Sequence, residues 1–197
     1  MENKTPEEAL AWEEVRCEHV IHDEWMDLRK LAYRFPNGQV FEPFYSYSRR
    51  NYAVIVASDE EGRYICVRQF RQGIREVTTE FPAGGLEKMG GREDGAGSEE
   101  DAMKAAKREL LEETGYESDE WEHLLTVPSN ATIADNYAFI YSAKNCRKVA
   151  DLHLDETEFI RVELHDAKEI EEMIRSGRFQ QSVHILGWLL AQRADPK

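Results

Sequence analysis

Apolar residues recur along this chain in two rhythms, and the change from one to the other lays out the elements. From Trp12 to Phe44 the pattern is strand-like, with runs at Val15 to Ile21, Trp25 to Tyr33 and Val40 to Phe44, and Pro36-Asn37-Gly38 turning between the last two. A small antiparallel meander is predicted there. Tyr52 to Ala57 and Tyr64 to Phe70, dense in Val, Ile and Tyr and joined by the polar Ser58 to Gly62, predict the central sheet. Val77 to Phe81 is a short strand leading into Pro82-Ala83-Gly84-Gly85. Leu86 to Glu99 is rich in Gly and charge without a period, which predicts a loop. At Glu100 the rhythm becomes helical and runs to Tyr116, placing Ala102, Ala105, Ala106 and Leu110 on one small apolar stripe suited to close approach to a sheet. Ser98 is a plausible N-cap and Gly115 a plausible stop.

Further strands are expected at Trp121 to Val127, Tyr137 to Ser142 and Phe159 to Glu163, with loops at 128–136 and 143–158. Two helices close the chain. One is Asp166 to Ser176, stopped by Gly177; the other is Gln180 to Arg193, with Val183, Leu186, Leu189 and Leu190 at core spacing. Residues 1–10 are polar and expected to dock loosely.

The anomaly lies in the last turns of the first helix. Glu109, Glu112 and Glu113 crowd negative charge toward the end where the helix dipole favours cations. Like charges at i,i+4 cost about 0.2–0.5 kcal/mol per pair, so a compensating cation is called for. A divalent metal is one answer, and a solvated acidic face on which Arg108 pairs with Glu112 is the other. The segment Asp151 to Glu158 adds Asp155, Glu156 and Glu158 far downstream. Hard oxygen ligands of this kind suit Mg²⁺ or Mn²⁺, which also bind phosphate oxygens.

Charge refines this picture. The 197 residues carry 39 acidic and 25 basic side chains, a net charge of -14, which argues against a nucleic-acid or anionic membrane surface as partner. A small phosphate-bearing molecule remains compatible, since a metal neutralises its charge locally. No apolar run approaches the length of a membrane span and the opening MENKTPEEALAWEE has no signal-peptide pattern, so a cytoplasmic location is expected. Cys17, Cys66 and Cys146 are too few and too scattered for a zinc cluster; Cys66, in an apolar strand, reads as a core residue.

The run R-E-L-L-E-E-T-G-Y at Arg108 to Tyr116, with Glu100 eight residues before the arginine, resembles the second half of the Nudix box, G-x5-E-x7-R-E-U-x-E-E-x-G-U. Upstream, V-R-Q-F-R-Q-G at Val67 to Gly73 and T-E-F-P-A-G-G at Thr79 to Gly85 resemble the ADP-ribose and nucleotide-sugar pyrophosphatase branch. So does E-T-E-F-I-R-V at Glu156 to Val162, and the likeness spans the chain from about Trp12. Two departures stand out. Fourteen residues separate Gly85 from Glu100 where the box has five, an insertion of nine, with Asp94 at the position of the box glycine. Ser129-Asn130-Ala131-Thr132 replaces a Ser-Pro-Gly-like turn, which bears on ADP-ribose as the substrate and leaves the reaction type untouched.

The resemblance implies an α/β (α+β) fold, a Nudix-type α/β/α sandwich around a mixed sheet at residues 49–197, with an N-terminal antiparallel subdomain at 1–48 that serves dimerisation and the substrate pocket. It implies Glu109 and Glu113 as metal ligands, joined by the carbonyl of Ala83 and by Glu158, with Glu112 as a ligand or its neighbour. Arg108 is implied to pair with Glu100. Glu156 is implied as the base that activates water, with Asp155 as its rival. Arg71, Glu80 and Arg50 are candidates for the substrate, Arg68, Arg49, Trp12 and Trp25 are weaker ones, and His184 reads as structural. The expected activity is Mg²⁺-dependent hydrolysis of a nucleoside diphosphate sugar by a homodimer. Cleavage of another nucleotide, such as a dinucleoside polyphosphate or NADH, and a non-catalytic sensing domain are the alternatives.

Overall fold

The computed structural model describes residues 9–89, 99–154 and 159–194. The meander forms as expected: β1 (Glu13–His22), β2 (Asp27–Arg34) and β3 (Val40–Ser48) make a three-stranded antiparallel sheet. Trp12 packs there with Phe35 at 4.5 Å and Phe44 at 5.4 Å between ring centroids.

The second sheet holds eight described strands. They are β4 (Arg50–Asp59), β5 (Tyr64–Arg71), β6 (Glu76–Glu80), β7 (Ala83–Met89), β8 (Tyr116–Glu117), β9 (Glu120–Pro128), β10 (Tyr137–Lys148) and β11 (Arg161–His165). Its spine runs β11-β5-β4-β10-β8, with β4 and β10 parallel and the remaining pairs antiparallel, so the sheet is mixed. Strand β4 shows why both faces are covered. Ala53, Ile55 and Ala57 point one way, into a core with Ala102, Ala105, Ala106 and Leu110 of α1 (Glu99–Thr114). Val54 and Val56 point the other way, toward Ile170 and Met173 of α2 (Ala167–Arg175) and Trp188 and Ala191 of α3 (Ser182–Ala194). This is the expected sandwich of helices around a mixed sheet. Cys66 is fully buried in the second core. Among the described residues, no helix is long and apolar enough to cross a membrane.

Four expectations need correction. Residues 83–89 are a strand, not a turn followed by a loop, because Ala83, Gly84 and Gly85 pair with Val54, Ala53 and Tyr52 of β4. Strand β10 continues to Lys148, six residues past its expected end, where Arg147 and Lys148 pair with Glu117 and Tyr116. The third helix buries a different face: His184, Gly187, Trp188 and Ala191 meet the sheet, while Leu189 is exposed. Gly187 sets this phase, since a Cβ there would lie 2.9 Å from Ile140 and 3.1 Å from Val56. The expected strand at Phe159 to Glu163 starts instead at Arg161 and runs to His165. Asp166 caps α2 in a reciprocal capping box with Glu169.

Candidate active site

Helix α1 comes close to the sheet because its contact face is alanine, with Ala102, Ala105 and Ala106 all buried. That approach carries its last turns onto β7. Gly84 is the residue that makes the fit possible: a Cβ there would lie 1.9 Å from the carboxylate carbon of Glu109. The neighbouring Ala83 N–H donates to Glu113 Oε2 at 3.1 Å. Both carboxylates are buried, Glu109 at 8% and Glu113 at 3% exposure, a placement seldom given to acidic side chains unless they are paired or ligate a metal. Glu112 stands beside them, partly exposed.

Arg108 ties the carboxylates to β7. Its Nη2 donates to Glu109 Oε1 at 2.7 Å and to the Gly85 carbonyl at 3.1 Å, and its Nη1 donates to Glu112 Oε2 at 2.8 Å. Burial works against its charge, but Glu109 and Glu112 together hold the guanidinium further toward its protonated form than usual. The side chain of Glu100, its expected partner, lies outside the described residues, as do Asp155, Glu156 and Glu158. The chain approaching that downstream segment is pinned to the end of α1. Gly115 takes φ +74° and its carbonyl accepts from Val149 and Ala150, while His153 N–H donates to the Glu112 carbonyl at 2.9 Å. A Cβ on Gly115 would meet the Ala150 carbonyl oxygen at 2.1 Å, so this junction requires glycine twice over.

On the other side of residues 83–85 lies a cavity of about 670 Å³. Arg49, Arg50 and Arg71 line it, together with Trp25, Tyr52 and His184. Glu109, Glu112 and Glu113 are not among its lining residues; cavity and carboxylates share the Ala83-Gly84-Gly85 wall. Glu80 does not reach the cavity. It is fully buried and grips Arg71, accepting from Nε at 2.8 Å and Nη2 at 3.0 Å, with Thr78 donating at 3.0 Å. His184 accepts the Phe81 N–H at 3.2 Å and fixes the junction between β6 and β7. Burial, seconded by Arg71, pushes its pKa down to about 3, so the ring is neutral at physiological pH.

The structure thus brings Arg50, Arg71, Ala83, Arg108, Glu109, Glu112 and Glu113 to one wall and the space beside it. It adds Arg49 and Trp25 from the weaker candidates. Arg68 pairs instead with Glu163 at 3.9 Å, and Trp12 stays in its aromatic cluster, so neither joins the cavity. Tyr47, Asn136 and Gln181 also line it and were missed, because each comes from a different segment with no local pattern to mark it.

The NUDIX domain profile matches residues 48–183. The chain is 29% identical over 174 residues to a methanol dehydrogenase activator of Bacillus methanolicus, covering 87% of this chain and 88% of the relative. It is also 29% identical over 159 residues to an ADP-ribose pyrophosphatase of Bacillus subtilis (strain 168), covering 79% and 80%. The crystal structure of an ADP compounds hydrolase superposes with a TM-score of 0.77 at 16% identity, over 94% of this chain and 95% of that one, which shows a shared fold. With its box helix, glycine wall and sandwich in place, the chain belongs to the NUDIX family and is a Nudix hydrolase.

Proposed function

We propose that this Nudix hydrolase splits the diphosphate linkage of a nucleoside diphosphate sugar, ADP-ribose or a close relative, into a nucleoside monophosphate and a sugar phosphate. One observation carries the reading. Two buried carboxylates, Glu109 and Glu113, and a cavity with three arginines share the wall formed by Ala83, Gly84 and Gly85. That arrangement sets an acidic centre beside a space suited to an anionic ligand.

The donor chemistry fits Mg²⁺, with Mn²⁺ as a substitute: Glu109, Glu112 and Glu113 offer hard oxygen donors from the last turns of one helix, and Ala83 and Glu158 are the further candidates. A bound divalent ion lowers the pKa of water and neutralises diphosphate charge. The protein's own residues do the rest. Arg108 holds Glu109 through Nη2 and Glu112 through Nη1. Arg71, gripped by Glu80 through Nε and Nη2, keeps Nη1 for a phosphate or sugar oxygen, and Arg50 supplies a second cation. Trp25 offers a face for the base. Glu156 takes the proton from the attacking water, a role supported by the anchoring of His153 on α1 three residues upstream. The meander at residues 1–48 contributes Trp25 to the pocket and builds a homodimer.

Turnover of ADP-ribose, GDP-mannose and UDP-glucose with Mg²⁺, followed by product chromatography, tests this reading. One relative is named for activating a dehydrogenase, so NADH and dinucleoside polyphosphates belong in the same panel. Cleavage of these alone would move the assignment to another nucleotide class, and no cleavage at all would favour a sensing domain.

A further inference from the structure

We propose a second metal site, for a borderline divalent cation such as Zn²⁺, on the β1–β2 hairpin at His19, His22 and Asp27. Three residues apart on a regular strand, His19 and His22 would face opposite sides. A register shift between His19 and Ile21 breaks the alternation and turns both rings to one face. Asp27 is paired directly across from His22, and Arg29 across from His19, so the aspartate projects from that same face.

The ligating atoms converge. His19 Nδ1 lies 2.6 Å and His22 Nδ1 3.4 Å from Asp27 Oδ1, and the three candidate donor atoms all lie within 4.8 Å of one another. Two ligands about 2.0–2.1 Å from a tetrahedral ion sit roughly 3.3 Å apart, so the cluster closes on one when the His19–Asp27 pair opens by about 0.7 Å and no pair contracts by more than about 1.5 Å. Two imidazoles and a carboxylate with the rest open to water match Zn²⁺ and its neighbours rather than Mg²⁺. Arg29 is shared between two carboxylates, with Nε 3.8 Å from Asp27 Oδ2 and Nη2 on Asp135 at 2.6 Å, and its ion pair with Asp27 runs to the oxygen that the histidines do not contact.

The position gives such a site a consequence. Between His22 and Asp27 the chain turns through Asp23, whose carboxylate accepts from Trp25 N–H at 2.8 Å and Met26 N–H at 2.9 Å, and the tip residues Glu24 and Trp25 line the large cavity. An ion at the hairpin base would clamp the element that carries this part of the cavity wall.

Calorimetric titration of Zn²⁺ into the untagged full chain, in excess Mg²⁺, tests the site without reference to turnover. The expected result is one saturable equivalent that raises the thermal midpoint. It should weaken at least about tenfold in His22→Ala and in Asp27→Asn, and persist in Glu113→Gln and Cys17→Ser. His22 is exposed, so its variant keeps the fold. Absence of saturable binding, unchanged affinity in both hairpin variants, or loss of the equivalent in Glu113→Gln or Cys17→Ser would overturn the proposal.

Discussion

The carboxylate of Glu109 occupies the space that a side chain on Gly84 would need, with only 1.9 Å between that Cβ position and its carboxylate carbon. A helix and a strand are thereby locked in register where acid groups of α1 meet the backbone of β7. The obstruction is the far end of a flexible side chain, so Gly84→Ala should displace Glu109 rather than unfold the protein. We expect kcat to fall about 10²-fold while stability changes by less than about 1 kcal/mol. Steady-state kinetics beside thermal denaturation would check this. Equal losses of both would show that Gly84 serves folding alone.

Glu80 is fully buried, and Arg71 is its charge partner in a two-pronged contact. Truncating the arginine strands a buried carboxylate. Arg71→Met should therefore cost roughly 3 kcal/mol by urea denaturation, and adding Glu80→Gln to that variant should recover part of the loss. Additive losses in the double variant would contradict the pairing.

His184 titrates near 3 when folded against an ordinary value of 6.5, with burial as the leading cause and Arg71 second. The unfolded chain binds the extra proton across that window, so stability is fully present above 6.5 and is lost as pH falls toward 3. The residue's share of the slope is at most about 1.4 kcal/mol per pH unit. His184→Gln, measured by denaturant titration at pH 7 and pH 5, should flatten the pH dependence relative to wild type. Parallel curves would remove His184 from the account.

The aromatic cluster of the meander keeps Trp12 and Phe41 more than half exposed, at 51% and 54%, with Val40 at 51%. Such a surface favours self-association. Light scattering should give twice the chain mass at micromolar concentration, and Phe41→Ser with Val40→Ser should shift it toward the monomer. A monomeric wild type would end the dimer proposal.

Much of this architecture is legible in the residues, and the exceptions share a cause. The acidic helix announces itself through its alanine stripe, its charge anomaly and its glycine stop, all local signals. The strand at Ala83–Met89 does not, because two glycines have no strand preference and the pairing partner lies thirty residues away on β4. The contact face of the last helix departs from its apolar spacing for a similar reason: its closest approach is made by Gly187 and a buried His184, which an apolar count skips. The carboxylate centre was readable because one helix carries it. The cavity was readable at Arg50, Arg71, Arg49, Trp25 and the Ala83-Gly84-Gly85 wall, since its other walls come from segments that meet in three dimensions alone.

The most direct test of the central claim is the Mg²⁺-dependent turnover of ADP-ribose by wild type and by Glu113→Gln, read as AMP and ribose 5-phosphate. Turnover by the wild type and a loss of at least about 10²-fold in kcat for the variant are expected, with both proteins folded. Cleavage undiminished in Glu113→Gln, or the absence of any cleavage across the nucleotide panel, would contradict it.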